Sequence, residues 1–471
     1  MKVLFLRPKI EVGFEALMPE EIGEKWVNFP SLGSLYVMEY VSAAGFDCRY
    51  YDAEALDVGY EEAARWAEQG RYDVVCLPAD TYSFLSTVKQ AAAIRQHLPE
   101  AYLICGGVHP TIYPEETAAL PMFDAAVFGD GERPTLALLE ALRDKHDPAG
   151  IPGVAVRSGA QVIKGPQPEL EPDLDALGMP DFSRTPLYTY YSSLAKAKPV
   201  VPMVTSRGCP FTCTFCDRPR LAHKLRFRSP AHVEAEFRRH IEQGVTEFSI
   251  YDDTFTANRK RALEILERVR GLPQKIAFDI RTRVDTIDVE LISELKKAGC
   301  ERVYFGVETG DPKMQKRLRK NVDLDQARWA ITAVQNNGMK ALAYFMVGLP
   351  GETRAQAEAT IRFAQKLRAD YYLFEVFVPM PSTEAYDQGL SEGIFDSDYW
   401  REFAIHPTAE FLPRLWEQGM TRADLQEVIR TAYRKCYLQP GYIWRSLVST
   451  ATWVEFKQKA EGGLSFLRLL K

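Results

Sequence analysis

Short apolar runs alternate with amphipathic helical patterns along most of the 471-residue chain, and this alternation constrains the fold more than any other feature. In the first 150 residues the predicted strands are 3–6, 48–51, 73–77, 101–105 and 125–128. The predicted helices between them are 32–44, 61–68, 84–97 and 134–143. Alternation of this kind predicts an open parallel α/β sheet.

A second α/β series follows residues 151–199, whose irregular, proline-rich sequence predicts a linker. Its predicted strands are 201–205, 247–251, 276–280, 302–306, 341–347 and 372–378. Their spacing is close to the ~30 residues of a βαβ unit and predicts a partial (β/α)6 TIM barrel with its site at the carboxyl ends of the strands. The predicted organisation is a domain at 1–150, a linker at 151–199, a barrel at 200–390 and a helical domain at 391–471.

The last predicted domain contains one clear helix start. Thr421 and Asp424 have the spacing of a capping box, although Asp replaces the usual Glu or Gln. The apolar residues that follow fall on one helical face: Leu425, Val428, Ile429, Ala432, Tyr433 and Cys436. Residues 442–469 are rich in aromatic and basic side chains, for which we expect core packing rather than contact with a lipid surface.

Charge and hydropathy exclude several classes of partner. The chain has 58 Lys and Arg against 64 Asp and Glu, so no global basic field favours nucleic acid. No apolar run approaches the ~20 residues that a membrane span needs, so no integral membrane segment is expected. The N-terminus lacks the pattern of a secretory signal, which predicts a cytoplasmic protein. Eight cysteines are too few for a disulfide framework, and a cluster of them predicts a ligand set.

Three of the eight cysteines form such a cluster directly after the first strand of the second series. Cys209, Cys213 and Cys216 have a Cys-x3-Cys-x2-Cys spacing. A structural zinc ion is the alternative, but it normally takes four protein ligands, and the nearest candidates for a fourth are His223, seven residues after Cys216, and Cys300. A [4Fe–4S] cluster held by three cysteines fits better, because its fourth iron stays open for a substrate or cofactor.

The cysteine loop, with Phe215 just before its third cysteine, resembles the signature of the radical S-adenosylmethionine (SAM) enzymes. Later strand ends resemble the same family, namely Tyr251-Asp252-Asp253-Thr254-Phe255, Arg281-Thr282-Arg283-Val284-Asp285, Gly306-Val307-Glu308-Thr309-Gly310 and Phe345-Met346-Val347-Gly348-Leu349-Pro350-Gly351-Glu352. The resemblance implies a [4Fe–4S] cluster on the three cysteines and SAM as second cofactor. It assigns SAM contacts to Phe215, Asp253, Arg283, Glu308 and Gly348. It also implies an external one-electron reductant of the flavodoxin or ferredoxin type, and it identifies no catalytic side chain.

The N-terminal sheet resembles the Rossmann-like, flavodoxin-like cobalamin-binding domain found ahead of the barrel in one subgroup of that family. The matching segments include Phe29-Pro30-Ser31-Leu32-Gly33, the Gly106-Gly107 turn and Gly129-Asp130-Gly131-Glu132. The resemblance assigns cobalamin contacts to strand-end residues, namely Asp52, Thr81, Gly106, Gly107, Val108, His109, Gly129, Gly131 and Glu132. The Asp-x-His-x-x-Gly motif that supplies a histidine to cobalt is missing after Asp52, so neither His97 nor His109 is expected to be a cobalt ligand through it.

The resemblance implies methylation of an unactivated carbon of a small-molecule or lipid-like substrate, with SAM cleaved reductively to a 5′-deoxyadenosyl radical. A radical SAM cyclase or carbon-skeleton rearrangement enzyme, and a non-catalytic cobalamin- or SAM-binding sensor, are the alternatives. A methylthiotransferase would need a second cluster, but Cys48, Cys76 and Cys105 are expected to be buried core residues. The basic residues Arg317, Arg319 and Lys320 are expected to form a solvated helix end.

Overall fold

The computed structural model describes residues 1–10, 27–222 and 224–448, which form two compact units. The first unit is built from the N-terminal strand, Asn28–Tyr190 and Ser397–Pro413. The second is built mainly from Tyr191–Asp396 and residues 414–448. Each unit contains one large sheet, and each is described separately.

The sheet of the first unit has seven strands in the order β2-β1-β3-β4-β5-β6-β7. The strands are β1 Lys2–Arg7, β2 Asp47–Asp52, β3 Val74–Pro78, β4 Tyr102–Gly106, β5 Ala125–Val127, β6 Val154–Ser158 and β7 Gln161–Lys164. The first five strands are parallel, and their order is the predicted flavodoxin-like one. Apolar residues of β1, which lies between β2 and β3, are buried from Val3 to Leu6, because helices cover both faces of a parallel sheet.

Among the described residues between β1 and β6, this unit has six helices. They are α1 Leu32–Ala43, α2 Tyr60–Gly70, α3 Phe84–His97, α4 Val108–Ile112, α5 Pro114–Ala119 and α6 Glu132–Arg143. Four of them were predicted from hydrophobic periodicity. The two short helices α4 and α5 were not, because five or six residues are too few to establish a helical period.

The interpretation of residues 151–199 as a linker is wrong for much of its length. Strands β6 and β7 form an antiparallel hairpin that extends the sheet beyond β5. Three short 3-10 helices follow, at Leu174–Leu177, Phe182–Arg184 and Leu187–Thr189. The prolines flank the hairpin strands and do not interrupt them. The proline content of the segment therefore did not indicate that two strands pair within it.

The sheet of the second unit has six parallel strands in chain order, as predicted for a partial barrel. The strands are β8 Val200–Met203, β9 Glu247–Ile250, β10 Ala277–Thr282, β11 Cys300–Glu308, β12 Lys340–Val347 and β13 Tyr371–Val376. The helices between and after them are α7 Arg218–Leu221, α8 Pro230–Glu242, α9 Arg259–Arg270, α10 Val289–Lys297, α11 Pro312–Arg317, α12 Leu324–Asn336, α13 Arg354–Leu367 and α14 Glu384–Ser391. Because all six strands run the same way, their carboxyl ends lie at one edge.

The chain after residue 390 does not form one helical domain, which corrects the predicted organisation. Helix α15 (Tyr399–Ile405) belongs to the first unit, whereas α16 (Arg422–Tyr437) packs on β13 in the second. All six apolar residues predicted for one face of α16 are buried. Helix α17 (Pro440–Val448) has no buried side chain, and Trp444 is 70% exposed, so the prediction of core packing is wrong for this helix. The rest of that prediction, residues 449–469, lies outside the described residues.

Helix α16 begins with the predicted capping box. The Thr421 hydroxyl accepts from the Asp424 N–H at 3.2 Å, and the Asp424 carboxylate accepts from the Thr421 N–H at 2.9 Å. We expect Thr421→Ala to lower the free energy of unfolding by about 1 kcal/mol, because it removes one arm of the box. Urea unfolding of the variant beside the unchanged protein measures this loss, and equal midpoints would contradict it.

None of the helices within the described residues combines the length and the apolar character that a membrane crossing requires.

Candidate functional site

The cysteine loop lies between two short strands, Ser206–Arg207 and Arg226–Phe227, that pair antiparallel. Its first residue, Gly208, has a φ of +94°, and a Cβ there would lie 2.6 Å from the carbonyl oxygens of Ala222 and Lys224. Glycine is required at this position by both the conformation and the close approach of the backbone. The Cys209 N–H donates to the Ala222 carbonyl at 3.2 Å, which closes the loop at its base.

Two further hydrogen bonds fix the middle of the loop to distant parts of the second unit. The Thr214 N–H donates to the Leu318 carbonyl at 3.1 Å, and the Thr214 carbonyl accepts from the Ala385 N–H at 2.9 Å. Phe215 packs against a cluster of buried apolar residues, namely Met314, Leu318, Leu349, Phe377 and Ala385. The loop is therefore held by segments that follow it by roughly a hundred residues or more.

The three thiols differ in accessibility but lie close enough to affect each other's charge. Cys209 and Cys216 are partly exposed, whereas Cys213 is buried. Burial raises the pKa of the Cys213 thiol, and nearby Lys320 and Arg283 oppose this by favouring the thiolate. Burial raises the pKa of the Cys216 thiol to about 12, and the Arg218 N–H opposes that rise. The charge of Cys209 acts on Cys213, and that of Cys213 on Cys216.

Within the described residues, no three His, Cys, Asp or Glu side chains already have the arrangement of ligands around one metal ion. This finding includes the three cysteines. The cysteines of a [4Fe–4S] cluster each bind a different iron and are spread more widely. The spacing of three cysteines on one loop remains the reason to expect a cluster with one open iron.

Arg283, predicted from the end of β10, lies beside the buried thiol. Its Nη1 is 3.9 Å from the Cys213 Sγ, and its guanidinium stacks 3.9 Å from the centroid of Phe211. The same group donates to both carboxylate oxygens of Asp285, at 2.8 and 2.6 Å. Arg283 is thus fixed by its neighbours and contributes positive charge next to Cys213.

Two adjacent acids follow β9, and the structure gives them different environments. Asp252 is fully buried and accepts four hydrogen bonds from Thr205 and Ser206, two from N–H groups and two from hydroxyls, at 2.5 to 3.1 Å. Asp253, the predicted SAM contact, is partly exposed and lies 3.3 Å from Arg218. Burial raises the pKa of Asp253, with Arg218 opposing the rise. Asp252 anchors the entry to the cysteine loop, whereas Asp253 stays accessible.

Glu308, at the end of β11, is paired with a lysine that sequence reasoning placed in solvent. The Lys320 Nζ lies 2.8 Å from the Glu308 Oε1, and Lys320 is only 8% exposed. The prediction of a solvated helix end is therefore wrong for Lys320, although Arg319 is exposed and pairs with Glu384. Gly306 leaves room for this pair, because a Cβ there would lie 2.3 Å from the Glu308 Oε1.

Gly348 follows β12 in a left-handed turn with a φ of +79°. Its N–H and that of Leu349 donate to the Glu352 carboxylate at 2.7 and 3.2 Å. Burial raises the pKa of Glu352 to about 7, and these two N–H groups oppose the rise. The residues predicted to contact SAM at Asp253, Arg283, Glu308 and Gly348 thus lie at successive strand ends on one edge of the sheet.

In the first unit, the residues predicted to contact cobalamin fall into two groups. The glycines at 106, 107, 129 and 131, together with Val108, are at least partly accessible at the carboxyl ends of the strands. Asp52, Thr81, His109 and Glu132 are buried. The Asp52 carboxylate accepts from Arg7 at 3.3 Å and from Tyr190 at 3.0 Å within this unit.

His109 lies on α4 beneath an aromatic cover. Its ring stacks on Phe84 at a centroid distance of 3.7 Å and contacts Tyr113 and Phe403. Burial lowers the pKa of His109 to about 3, so its ring is neutral near pH 7. His97, at the end of α3, pairs with Glu61 and Glu68. His109 is thus enclosed by aromatic rings, and His97 is paired with carboxylates at the end of α3.

Two family descriptions match the chain. The family model described as 'Radical SAM superfamily' matches residues 203–364. The family model described as 'B12 binding domain' matches residues 27–139. The chain contains a radical SAM domain and a B12-binding domain. The first match contains the whole cysteine loop and the strand ends that follow it to Gly348.

Several known proteins are similar to this radical SAM enzyme. An uncharacterized methyltransferase of Pyrococcus horikoshii, PH0819, is 29% identical over 95% of each chain. The anaerobic magnesium-protoporphyrin IX monomethyl ester cyclase of Cereibacter sphaeroides is 26% identical over 94% of this chain and 72% of its own. The structure of the radical SAM methyltransferase TsrM from Kitasatospora setae shares the fold, with a TM-score of 0.73, 16% identity and coverage of 93% and 89%.

The residues of this radical SAM enzyme fit the cofactors of its two families, which are a [4Fe–4S] cluster, SAM and cobalamin. The cluster is matched by three thiols on one loop, with two cations beside the buried thiol. For cobalamin, the accessible glycine-bearing edge of the first sheet allows a large ligand to approach the main chain. Cys48, Cys76 and Cys105 are buried, as predicted.

Proposed function

We propose that the protein is a cobalamin-dependent radical SAM methyltransferase that acts on an unactivated carbon of a small-molecule or lipid-like substrate. The observation that carries this proposal is the presence, in one chain, of a cysteine triplet at a barrel-type strand edge, with two of its thiols partly exposed, and a B12-binding domain. When bound, the cluster and SAM supply a hydrogen-abstracting radical through one-electron reduction, and cobalamin supplies a carrier for a methyl group. PH0819, described as a methyltransferase, supports the same reaction class through similarity along nearly the full length.

The chain's own residues prepare the site for charged cofactors. We infer that Cys209, Cys213 and Cys216 hold the cluster, with Arg283 and Lys320 favouring the thiolate of Cys213. Asp253 and Glu308 are carboxylates suited to the ammonium and hydroxyl groups of SAM. Gly348 suits the close approach of a flat base, because its left-handed turn carries no side chain.

The inner face of the second sheet offers a polar and aromatic surface for a small substrate. The Arg281 guanidinium lies 3.5 Å from the ring centroid of Tyr251 and 4.9 Å from that of Tyr304. Glu375 is accessible, yet burial raises its pKa, and the charge of Glu308 adds to the rise.

The second candidate function is a radical SAM cyclase. It is favoured by the similarity to the magnesium-protoporphyrin IX monomethyl ester cyclase, which extends over 94% of this chain. In either case, radical SAM enzymes take their electron from an external reductant. We infer a flavodoxin- or ferredoxin-type donor, since such proteins deliver single electrons at low potential.

The experiment that separates the candidates needs no substrate. Reconstituted protein carrying cluster and reduced cobalamin is mixed anaerobically with SAM, and S-adenosylhomocysteine and 5′-deoxyadenosine are quantified. A methyltransferase should form about one S-adenosylhomocysteine per cobalamin, because the methyl group passes to the reduced cofactor, together with 5′-deoxyadenosine. Formation of 5′-deoxyadenosine alone would contradict methyl transfer and favour the cyclase. Formation of neither would favour a binding protein without catalysis.

A further inference from the structure

The end of β11 is irregular at Glu308, one of the residues predicted to contact SAM. The register with β12 shifts between Gly306 and Glu308, and Glu308 has a φ of +70°. A residue other than glycine in the left-handed region costs about 1–3 kcal/mol and persists only where its surroundings enforce it. The structure must therefore contain groups that hold Glu308 in this conformation.

Gln315 on α11 is the residue that holds the main chain there. Its Nε2 donates to the carbonyls on both sides of Glu308, at 2.7 Å to Val307 and 2.8 Å to Thr309. Its Oε1 accepts from the Val322 N–H at 3.3 Å, and its main-chain carbonyl accepts from the Asn321 N–H at 3.1 Å. Gln315 is 2% exposed, so water does not replace these bonds.

Residues 318–322 provide a second interaction that fixes Glu308. Lys320 pairs with the Glu308 carboxylate at 2.8 Å, between two further left-handed residues, Arg319 and Asn321, with φ of +51° and +53°. Backbone strain of this kind is concentrated at functional sites.

The same five residues also reach the cysteine loop. The Lys320 carbonyl accepts from Arg283 at 2.8 Å, and the Leu318 carbonyl accepts from the Thr214 N–H at 3.1 Å. One short segment is therefore bonded to Glu308, to the arginine beside Cys213 and to the loop that carries the thiols.

We propose that Gln315 and Lys320 are positioning residues for SAM, which act through Glu308 and fix its distance from the cysteine loop. This inference rests on the proposed role of Glu308 as a SAM-binding carboxylate. Neither residue needs to touch SAM itself. Their effect on binding should therefore disappear when the Glu308 carboxylate is removed, which distinguishes a positioning residue from a direct ligand.

The test measures SAM affinity and iron content of the anaerobically reconstituted full-length protein with the variants Gln315→Leu, Glu308→Gln and the double variant. Each single variant should weaken SAM binding about tenfold, the loss expected for about 1.4 kcal/mol. The double variant should bind like Glu308→Gln to within about twofold. Iron content should stay at the unchanged protein's value, because the three thiols are intact.

Gln335→Leu is the matched control. Its amide also makes two hydrogen bonds, both at 2.9 Å, to the Arg368 carbonyl and the Asp370 carboxylate on another side of the second unit. We expect it to lower the thermal unfolding midpoint without changing SAM affinity. If Gln335→Leu lost as much SAM affinity as Gln315→Leu, general destabilisation would explain the loss in both variants. That result would overturn the inference.

The remaining outcomes separate this inference from the proposed function. If Glu308→Gln weakens SAM binding but Gln315→Leu does not, the inference fails and the function stands. If Glu308→Gln leaves SAM binding unchanged, the role of Glu308 fails and the inference fails with it. If the double variant loses the sum of both effects, Gln315 acts on SAM by another route and the inference is overturned.

Gly306→Ala provides a second route if Gln315→Leu does not fold. The added methyl group would lie 2.3 Å from the Glu308 Oε1 and 2.8 Å from the Lys320 Nζ, so it displaces the pair while Gln315 stays intact. We expect a loss of SAM affinity of about tenfold or more. Unchanged affinity in this variant would also overturn the inference.

Discussion

Cys213→Ala is expected to abolish cluster binding and reductive SAM cleavage. Iron per chain and the rate of 5′-deoxyadenosine formation should each fall more than about 100-fold, since residues that merely support a metal ligand already change affinity or activity by about 10–100-fold. The reason is that the loop offers three thiols, and Cys213 is the one flanked by both Arg283 and Lys320. Iron analysis, visible absorption and product quantification under anaerobic conditions measure the effect.

Cys300→Ala is the matched control for this prediction. Cys300 is a buried thiol at the start of β11 in the same unit, and its Sγ lies 3.3 Å from the Arg302 carbonyl. The variant loses a buried thiol but no predicted cluster ligand, so iron content should be unchanged. A Cys213→Ala protein that retained its iron, or a Cys300→Ala protein that lost it, would contradict the assignment of the cluster to the loop.

The second large effect is expected from Asp252→Ala, which should lower the free energy of unfolding by about 3–5 kcal/mol. Four donors of Thr205 and Ser206 lose a charged acceptor in a site without access to water, and leaving buried donors unsatisfied is costly. Because these residues lead into the cysteine loop, cluster retention should fall as well. Guanidinium unfolding and iron content are the measurements.

The neighbouring acid supplies the contrast. Asp253→Ala removes a partly exposed ion pair with Arg218, which contributes little to stability, so unfolding should change by less than about 1 kcal/mol. Its SAM affinity should fall about tenfold, the equivalent of one charged hydrogen bond. If the two variants exchanged phenotypes, so that Asp252→Ala stayed stable and Asp253→Ala unfolded, the division of roles between these acids would be wrong.

The order of strands in both sheets could be predicted because it follows from local patterns. Apolar runs and helical periods identified five strands of the first sheet and all six of the second, and parallel topology then placed their carboxyl ends at one edge. The β6–β7 hairpin escaped prediction because it follows the α/β alternation and lies among prolines. The exposure of α17 was also not predicted, because hydrophobic periodicity identifies an apolar face but does not show whether other residues cover it.

Site residues could be predicted from the sequence only where they belong to a recognisable motif. The cysteines and the strand-end residues Asp253, Arg283, Glu308 and Gly348 were found in this way, and their contacts with cofactors stay predictions. Lys320 and Gln315 were missed, because their importance lies in contacts with residues separated by 6 to 12 positions through an irregular turn. Two adjacent acids after a strand, such as Asp252 and Asp253, indicate one buried and one accessible carboxylate. The reason is that alternate residues of a strand face opposite sides.

The tethering of the cysteine loop sets an order of events during maturation. Its main chain is held by Ala222 nearby but also by Leu318 and Ala385, which emerge much later during synthesis. A nascent chain that ends before these residues presents the thiols on a loop without its distant supports. Iron and sulfide should therefore be delivered to an already folded second unit, and a protein made without iron should accept its cluster afterwards without first being unfolded.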